Sequence, residues 1–440
     1  MYLPETVLEL MEALRRSGYQ AWAVGGCVRD SLLGITPHDY DLCTNAAPAQ
    51  MERVFAGREL VLAGRKHGTV GVVTDMGVVE ITTYRTEGDY SDSRHPGWVR
   101  FVPTVQEDLA RRDFTINAMA YAPDRGLVDP FGGADDLRKG VLRAVGIPAH
   151  RFGEDALRIL RGLRFAARFG LRIEDHTWAA MNSESGGLEH LARERVFAEL
   201  TGFLTVCDAQ QLLMAQDILG QVIPELKDAM GFCQHSPHHA YDVFTHIAYV
   251  TGAVEPEPEL RFAALLHDVG KPACFTRDET GRGHFYGHAD RGAQMAEEIL
   301  TRLKAPTAFR EEVVWLIGHH MFDPVPEPGA ARRALSRYGY DRMRRLMELE
   351  LADLSGKGVV EEEDGAERIR RFVQLLDQLQ QQEGRFTLKD LAVDGRDLIA
   401  LGYAPGRELG NALNALLEQV LAEKLPNEKQ ALLAAAKRWL

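Results

Sequence analysis

The chain has 440 residues, of which 45% are apolar and 26% are charged. This length suits about two to four domains with real cores, and the composition excludes a mainly disordered or collagen-like chain. No run of about 18 uncharged apolar residues occurs, which excludes a membrane-spanning helix. The 51 Lys and Arg residues stand against 64 Asp and Glu residues, and the resulting net charge of −13 at first argues against a nucleic-acid partner.

Residues 1–20 have the pattern of an amphipathic helix that carries acidic side chains. They lack the basic, apolar and cleavage-site regions of a signal peptide, so we expect a cytoplasmic protein without membrane contact. The five cysteines are odd in number and lack a CxxC spacing. They are typical of reduced thiols rather than of a disulfide or zinc framework.

The pattern of apolar residues changes near residue 146. Before it, short β-rich runs alternate with helical stretches; the runs are 21–26, 69–75 and 78–85. After it, apolar residues recur at three- and four-residue spacing, as in 154–170, where Gly170 is expected to end a single helix. The sequence therefore predicts an α+β fold, in which a head with a mixed sheet and helices is followed by an all-helical part.

Two aspartates, Asp39 and Asp41, follow the first predicted strand and a Gly25-Gly26 turn. One residue apart on a strand, they point to the same face. Such a pair is most easily kept ionised by divalent cations, and Mg²⁺ prefers carboxylate oxygens together with substrate phosphates. The glycine turn lets backbone N–H groups approach a triphosphate, and Arg29 could neutralise part of its charge. The order of these residues predicts phosphoryl or nucleotidyl transfer with two metal ions.

The arrangement GG-x2-RD-x2-LG-x4-D-x-D resembles the class II tRNA nucleotidyltransferase and poly(A) polymerase family. The resemblance implies that Asp39 and Asp41 hold Mg²⁺ at a catalytic centre. Glu80 is a possible third catalytic acid, although a glutamate on a strand is often only a solvent-facing residue.

The segment 107–121 is similar to the RRDFTINA motif of the same family. In that motif, Arg111, Arg112 and Asp113 line the active-site cleft, and Asn117 anchors the turn. Two arginines beside an aspartate are equally compatible with a surface ion pair. The neighbouring phosphate site favours contacts with nucleotide phosphate and sugar, with Arg112 also in the catalytic set.

An acidic pair and a row of arginines begin the predicted helix 154–170. At a spacing of three residues, Asp155 and Arg158 are expected on one helix face, where they are either a simple ion pair or a base-reading pair. A carboxylate accepts from an exocyclic amine, and a guanidinium donates to ring nitrogen or carbonyl groups. The segment resembles the EDxxRxxRxxRF motif of class II CCA-adding enzymes, which implies that Asp155 and Arg158 select CTP and ATP. Arg161 and Arg164 would then contact triphosphate or tRNA phosphates, or lie on a solvated face.

The polar segment after the strand 78–85 resembles the flexible loop of CCA-adding members of the family. Asp92 and Arg94 match the YxDxR portion of that loop, but His95 replaces the usual second arginine, and a neutral histidine cannot duplicate a guanidinium. Partial addition ending at CC, and poly(A) polymerase activity, therefore remain alternatives.

A second group of metal-binding residue types lies between 238 and 353. An adjacent His-Asp pair followed by Gly and Lys is the signature of the HD phosphohydrolase superfamily, and widely spaced histidines and acids suit a helical bundle in which each helix gives one ligand. The predicted ligands of Ni²⁺, Mn²⁺ or Mg²⁺ are His246, His267, Asp268 and Asp353. A second ion or the phosphate would use His288 and one of His319 and His320. The resemblance implies removal of 2′-phosphates or opening of 2′,3′-cyclic phosphates.

Together these features predict a bacterial class II CCA-adding enzyme with an HD domain, acting on tRNA with CTP and ATP, as a monomer or a homodimer. The predicted domains are a head (1–145), a helical neck and body (146–230), an HD domain (231–356) and a helical tail (357–440). A rival interpretation is an HD phosphohydrolase with an inactive RNA-binding head. The net charge is no obstacle to RNA binding, because a local track of six arginines between 151 and 172 would suffice.

Overall fold

The computed structural model describes residues 1–87, 99–236, 239–358, 363–382 and 386–440. The chain forms two compact units. The first contains Met1–Cys207 and Met214–Pro224, and the second contains Asp208–Leu213 and Glu225–Leu440.

In the described part of the first unit, seven strands form a mixed sheet in the order β3-β4-β5-β2-β1-β8-β9. Strands β2 and β5 are parallel, and the other neighbours are antiparallel. The strands are β1 (Ala21–Val24), β2 (Asp41–Thr44), β3 (Leu60–Val61), β4 (Thr69–Thr74), β5 (Gly77–Thr83), β8 (Ala120–Ala122) and β9 (Gly126–Val128). Short pairs lie beside this sheet: β6 (Arg85–Glu87) with β7 (Val99–Phe101), and β10 (Val141–Leu142) with β11 (Arg172–Ile173).

The parallel pairing of β2 with β5 positions the acidic residues. Leu42 of β2 pairs with Ile81 of β5, and both side chains are fully buried. Asp41 and Glu80 are exposed, and each comes one residue before this buried pair, Asp41 in β2 and Glu80 in β5. Because neighbouring residues of a parallel pair point to the same face, the two acids lie side by side.

The helices through residue 222 are α1 (Glu5–Arg16), α2 (Gly26–Leu32), α3 (Pro48–Val54), α4 (Val105–Ala110), α5 (Gly133–Arg138), α6 (Pro148–Glu154), α7 (Leu157–Phe169), α8 (Asp175–Ser183), α9 (Arg193–Leu204), α10 (Ala209–Met214) and α11 (Gln216–Val222). The predicted N-terminal amphipathic helix is α1, whose apolar face is buried. Throughout the described residues, every helix is too short or too polar to span a bilayer.

The expected single helix over 154–170 is two helices. Helix α6 ends at Glu154, Asp155 has extended backbone angles, and α7 begins at Leu157. The Asp155 Oδ1 atom accepts a hydrogen bond from the Leu157 backbone N–H at 3.0 Å, which gives α7 a new start. The predicted end is correct: Gly170 has φ +62°, a conformation that favours glycine.

The described part of the second unit is helical, as predicted, with the addition of one small hairpin, β12 (Thr276–Arg277) and β13 (Gly283–His284). Its helices are α12 (Val243–Ala253), α13 (Pro258–Leu266), α14 (His288–Arg302), α15 (Thr307–His319), α16 (Pro328–Tyr338), α17 (Tyr340–Gly356), α18 (Glu363–Gln382), α19 (Gly395–Leu401), α20 (Arg407–Leu421) and α21 (Lys429–Lys437). Helix α12 packs against α13 and α17, and α15 packs against α13 and α14. These contacts bring the histidine-bearing helices together.

The last three helices have an apolar core of their own. Leu398 of α19, Leu416 of α20 and Leu432 of α21 are fully buried in it. The Tyr403 hydroxyl donates to the Ala436 carbonyl at 2.8 Å, which links the segment between α19 and α20 to α21. The apolar stripe of the C-terminal helices is thus explained by packing.

Candidate active site and metal centre

The two aspartates predicted to bind Mg²⁺ lie at the start of β2. Asp39 and Asp41 are exposed, whereas Tyr40 between them is buried, so the two carboxylates emerge on one side of the chain. Desolvation of the carboxylate raises the pKa of Asp41, the Arg112 guanidinium opposes this effect, and the charges of Glu80 and Asp39 add to it. Three acids and one arginine therefore share one electrostatic environment.

The turn after β1 holds Arg112 in place. Gly25 has φ +77°, and a Cβ atom at this position would lie 2.7 Å from Nη1 of Arg112. The guanidinium thus rests directly on the glycine turn, where a larger residue would displace it. Arg112 Nη2 also lies 3.8 Å from Oδ2 of the fully buried Asp108, which anchors the arginine from the other side.

Arg29 of α2 points into the protein. Its Nε donates to Asp30 at 2.8 Å, and its Nη1 donates to the Asn117 side chain at 2.6 Å. The guanidinium also lies over the rings of Phe165 and Phe169, with centroid distances of 5.2 and 4.5 Å. These contacts make Arg29 a link between α2, the RRDFTIN segment and α7, and its predicted contact with a phosphate stays a prediction.

Asp113 is the centre of a buried network. Its Oδ1 accepts from the Phe114 backbone N–H and from Asn117, and its Oδ2 accepts from Nε and Nη2 of Arg161 at 2.9 and 2.8 Å. Burial acts to raise the pKa of Asp113, but the Arg161 charge and the Asn117 hydrogen bond outweigh it and hold the pKa at about 2. Asp113 therefore links the RRDFTIN segment to α7, and its predicted place in the active-site cleft stays a prediction.

Asp155 and Arg158 are buried, but they have different partners. The expectation that they share one helix face is wrong, because the chain leaves the helix at Asp155. Asp155 Oδ2 accepts from Arg195 Nη2 of α9 at 3.1 Å. Arg158 donates to the Glu154 carboxylate at 2.7 Å and to the backbone carbonyl of Arg111 at 3.2 Å. Arg111 thus contacts Arg158 through its backbone.

The other predicted arginines of α7 are also paired inside the first unit. Arg164 donates to Glu199 of α9 at 2.7 Å, and Arg161 lies 3.7 Å from the same carboxylate. Sequence reasoning missed Arg195 and Glu199, although their i,i+4 spacing is a recognisable signal of a charged helix face. Most of the six arginines expected to form a basic track are paired with carboxylates inside the first unit: Arg151, Arg158, Arg161 and Arg164. In the described chain, the exposed Arg168 makes no ion pair. The expected track is therefore largely neutralised by internal ion pairs. The predicted loop residues Asp92, Arg94 and His95 lie outside the described residues.

Four predicted ligands of the HD centre converge in the second unit. Within the described chain, this is the first of two groups that could hold a metal ion: His246, His267, Asp268 and Asp353. His246 Nε2 lies 2.8 Å from Asp353 Oδ1, and His267 Nε2 lies 3.2 Å from Asp268 Oδ2. Both histidines are fully buried, and they come from α12 and from the end of α13.

The second group contains Asp268, His288 and His320. Oδ1 of Asp268 lies 3.6 Å from His288 Nε2 and 3.9 Å from His320 Nε2. His319 is not part of it, because its ring stacks on Trp315 and packs edge-on against Tyr338, away from the Asp268 group. Of the two adjacent histidines, the structure thus places His320 at the centre.

The orientation of the imidazoles fits a metal site. The Nδ1 atoms of His267, His288 and His320 each donate to a backbone carbonyl, at 2.8, 2.8 and 2.6 Å. A carbonyl only accepts, so each Nδ1 carries a proton. Burial lowers the pKa of His288 and holds that of His320 at about 4, so these two rings are neutral and keep a lone pair on Nε2. His288 and His320 thus direct two lone pairs at each other across 3.1 Å. Their repulsion is relieved by a cation between them.

Asp268 supplies a second test of this fit. Its buried Oδ2 lies 2.7 Å from Lys271 Nζ, so the ammonium compensates part of the cost of burying the carboxylate. The same oxygen lies 3.3 Å from His246 Nε2 and 3.2 Å from His267 Nε2, so one carboxylate oxygen and two imidazole nitrogens converge on one point. The donor set of imidazole nitrogen and carboxylate oxygen suits a first-row divalent ion at each group, with Asp268 between them.

Four family models match successive parts of the chain. They are the Poly A polymerase head domain (21–143), the Probable RNA and SrmB- binding site of polymerase A (170–230), the HD domain (238–380) and the tRNA nucleotidyltransferase domain 2 (343–436). A CCA-adding enzyme of Streptococcus agalactiae is 31% identical over 446 residues, which cover 100% of this chain and 98% of the relative.

The chain belongs to the CCA-adding enzymes. The family predicted from the sequence is therefore confirmed, and so is the α+β fold with a nucleotidyltransferase head and an HD domain. As a CCA-adding enzyme, the chain is a tRNA nucleotidyltransferase. A crystal structure of the Bacillus stearothermophilus CCA-adding enzyme, in complex with CTP, matches with a TM-score of 0.73 at 26% identity and covers 100% of this chain and 98% of that one. The Thermotoga maritima CCA-adding enzyme, complexed with tRNA, has the same fold at a TM-score of 0.60 and 22% identity, over 99% and 96% of the two chains.

Proposed function

We propose that the head of this CCA-adding enzyme adds C, C and A to the 3′ end of tRNA from CTP and ATP at one site. The terminal 3′-hydroxyl attacks the α-phosphate, and pyrophosphate leaves. Divalent ions at this site, Mg²⁺ by preference, would supply charge neutralisation and activation of the hydroxyl. Asp39 and Asp41 would hold them, with Glu80 as the neighbouring acid.

The observation that carries this proposal is the position of Asp41. Its carboxylate stands level with Glu80 across the parallel β2–β5 pair and is electrostatically coupled to Arg112, which rests on the Gly25 turn. The site thus combines carboxylates that can bind cations with a guanidinium and a glycine turn that can bind phosphates. All of them lie at one end of the inner strands of the sheet. Gly26, in the same turn, begins α2 and offers its backbone close to this end.

Base selection is assigned to Asp155 and Arg158. Both side chains are buried, and each has hydrogen-bonding groups that complement the amine-bearing edges of cytosine and adenine. Their present partners, Arg195 and Glu154, would hold them in position before a nucleotide enters. Arg111 and Arg161 act on the same segment through the Arg111 carbonyl and through Asp113.

The decisive experiment incubates the full chain with tRNA lacking CCA, and with CTP and ATP separately and together. We expect CCA only when both nucleotides are present, and no product from the Asp39→Ala/Asp41→Ala variant. Long tails from ATP alone would instead identify a poly(A) polymerase. A product that ends at CC would point to the segment containing His95.

A second candidate function rests on the two metal groups around Asp268. We propose that they form a phosphohydrolase centre for 2′-phosphates or 2′,3′-cyclic phosphates, with Ni²⁺, Mn²⁺ or Mg²⁺. Hydrolysis of 2′,3′-cyclic AMP in the presence of each metal tests it, with Asp268→Ala as the inactive control. The Asp39→Ala/Asp41→Ala variant should lose nucleotide addition and keep this hydrolysis, whereas loss of both activities would contradict independent sites.

A further inference from the structure

A pocket of about 280 Å³ opens on the metal groups of the second unit. Its lining contains the metal-group residues Asp268, His288, His320 and Asp353. On another side it is lined by the end of the β12–β13 hairpin, with His284 and Tyr286. The pocket therefore has a floor of metal-binding groups and a rim of aromatic rings.

The rim is a stacked pair. The rings of His284 and Tyr286 are nearly parallel, with an interplanar angle of 5° and a centroid distance of 5.3 Å. At this centroid distance the two rings overlap only in part, with the Tyr286 hydroxyl 3.4 Å from His284 Nδ1, and Tyr286 stays 79% exposed, so most of its ring is open to solvent. A single exposed tyrosine is common on protein surfaces. Here the tyrosine ring is backed by a second aromatic ring, and both line the pocket that contains the metal groups.

Hydrogen bonds within the β12–β13 hairpin hold the His284 ring in position. His284 Nε2 lies 2.8 Å from Asp278 Oδ2, and Oδ1 of the same carboxylate accepts from the backbone N–H groups of Thr280 and Arg282. The Asp278 side chain thus ties the turn to the ring on which Tyr286 stacks. A base that stacks on Tyr286 would therefore meet a backing ring that is already held in position.

The hairpin is also connected to the metal centre. The carbonyl of Phe285, between the two stacked residues, accepts from Nδ1 of His288 at 2.8 Å. Phe285 packs against Phe275 with a centroid distance of 5.5 Å, and Lys271 Nζ lies 5.4 Å from its ring centroid. The aromatic rim and the ligand His288 are therefore positioned by one short segment of chain.

We propose that Tyr286, backed by His284, stacks on the base of the nucleotide whose phosphate is held at the metal centre. The substrates of this centre are then nucleoside phosphates, such as an RNA end with a 2′-phosphate or a 2′,3′-cyclic phosphate, rather than small phosphoesters in general. Every base has a stacking face, so the rim would accept different bases. This inference rests on the phosphohydrolase function proposed above.

The test is a binding experiment on the full chain with Mn²⁺, by isothermal titration calorimetry. Two ligands are compared: adenosine 2′-monophosphate, and glycerol 2-phosphate, which has the phosphate but no base. The variants are Tyr286→Ala, Tyr286→Phe and the matched control Tyr2→Ala, because Tyr2 is also 79% exposed but lies in the first unit. Binding of the nucleotide at the head is the same in every variant and cancels in the comparison.

We expect Tyr286→Ala to weaken binding of adenosine 2′-monophosphate by about tenfold and to leave that of glycerol 2-phosphate unchanged. Tyr286→Phe keeps the stacking ring and should bind like the wild type, as should Tyr2→Ala. An equal loss for both ligands, no loss for either, or a wild type that binds the two ligands equally well would overturn the proposal. Hydrolysis of 2′,3′-cyclic AMP by the wild type, with Asp268→Ala as the inactive control, tests the underlying phosphohydrolase function separately. If the wild type hydrolyses it but the two ligands bind equally well, the stacking proposal alone is wrong.

Discussion

Arg161 holds Asp113 with two hydrogen bonds, from Nε and Nη2, that converge on one carboxylate oxygen, Oδ2, at 2.9 and 2.8 Å. Asp113 belongs to the RRDFTIN segment and Arg161 to α7, 48 residues later. The pair thus joins the head to the helix that begins beside Asp155. Its strength sets how firmly the proposed base-reading segment is held against the catalytic strand.

Removing the carboxylate should destabilise the first unit. Asp113→Ala removes the main partner of the Arg161 guanidinium, which is 35% exposed and keeps Glu199 at 3.7 Å, and it leaves the hydrogen bonds of a buried carboxylate unmade. We expect the free energy of unfolding to fall by about 2 kcal/mol. Urea denaturation followed by circular dichroism measures this loss. Asp135→Ala is the matched control, because Asp135 is half-buried at the surface and, among the described residues, forms ion pairs with Lys139 and Arg138 alone, and it should change stability little. Equal stability of the two variants would contradict the assigned role of Asp113.

The same pair predicts a dependence of stability on pH. The pKa of Asp113 is about 2 in the folded chain and 3.8 in the ordinary case, so the folded state favours the ionised form. This contribution is complete above about pH 4 and is lost as the pH falls from about 4 to 2. The stability difference between wild type and Asp113→Asn should therefore be constant from about pH 7 to 5 and shrink near pH 3. A difference that stays constant over this whole range would refute the prediction.

The glycine turn offers a comparison between adjacent positions. Gly25→Ala puts a Cβ atom at 2.7 Å from Arg112 and forces alanine to adopt φ +77°, whereas a Cβ atom at Gly26 would be 3.5 Å from Arg29. The backbone strain costs about 1 kcal/mol, and the displaced Arg112 should lower the rate of nucleotide addition by about a hundredfold. Gly26→Ala should stay much closer to wild type. Primer-extension rates with CTP measure both, and equal rates would show that Arg112 does not depend on the turn.

Nucleotide preference should respond to Asp155. Asp155→Ala removes the acceptor for the exocyclic amine, so the ratio of kcat/KM for CTP to that for UTP should fall by about tenfold or more. Asp175→Ala is the control, because the Asp175 side chain is 92% exposed and, in the part of the chain that the structure describes, forms an ion pair with Arg172 alone. Thermal unfolding of both variants shows whether the lost contact with Arg195 has also weakened the fold. A wild-type ratio in a folded Asp155→Ala variant would remove Asp155 from base selection.

His319 and His320 are adjacent, but only His320 belongs to a metal group, so variants of the two provide a matched comparison. In an Asp39→Ala/Asp41→Ala background, which removes the proposed head site, His320→Ala removes a nitrogen ligand from the second group. We expect the bound metal to fall from about two ions per chain to about one. His319→Ala removes a ring that stacks on Trp315 and should keep both ions. Metal content after dialysis, measured by inductively coupled plasma mass spectrometry, decides between them. Equal metal content in the two variants would contradict the assignment of His320.

Sequence patterns correctly predicted those features of the fold that depend on neighbouring residues. The strand that carries Asp41, the helix that ends at Gly170 and the HD ligands all have clear signals in the sequence. The break at Asp155 has none, because the apolar spacing continues through it and its partner Arg195 is 40 residues away. The inward orientation of Arg29 likewise depends on Asn117, 88 residues away. Such contacts are set by tertiary packing, which a single sequence does not display.

The two oxygens of Asp268 face two different sets of nitrogen ligands. Ions at the two positions would share a single negative charge, so each would change the affinity of the chain for the other. By thermodynamic reciprocity, the effect is the same whichever ion binds first. Metal loading of this domain would therefore be a cooperative or anticooperative process governed by one side chain. In a cell, the fraction of fully loaded enzyme would then depend steeply or shallowly on the free metal concentration, according to the sign of that coupling.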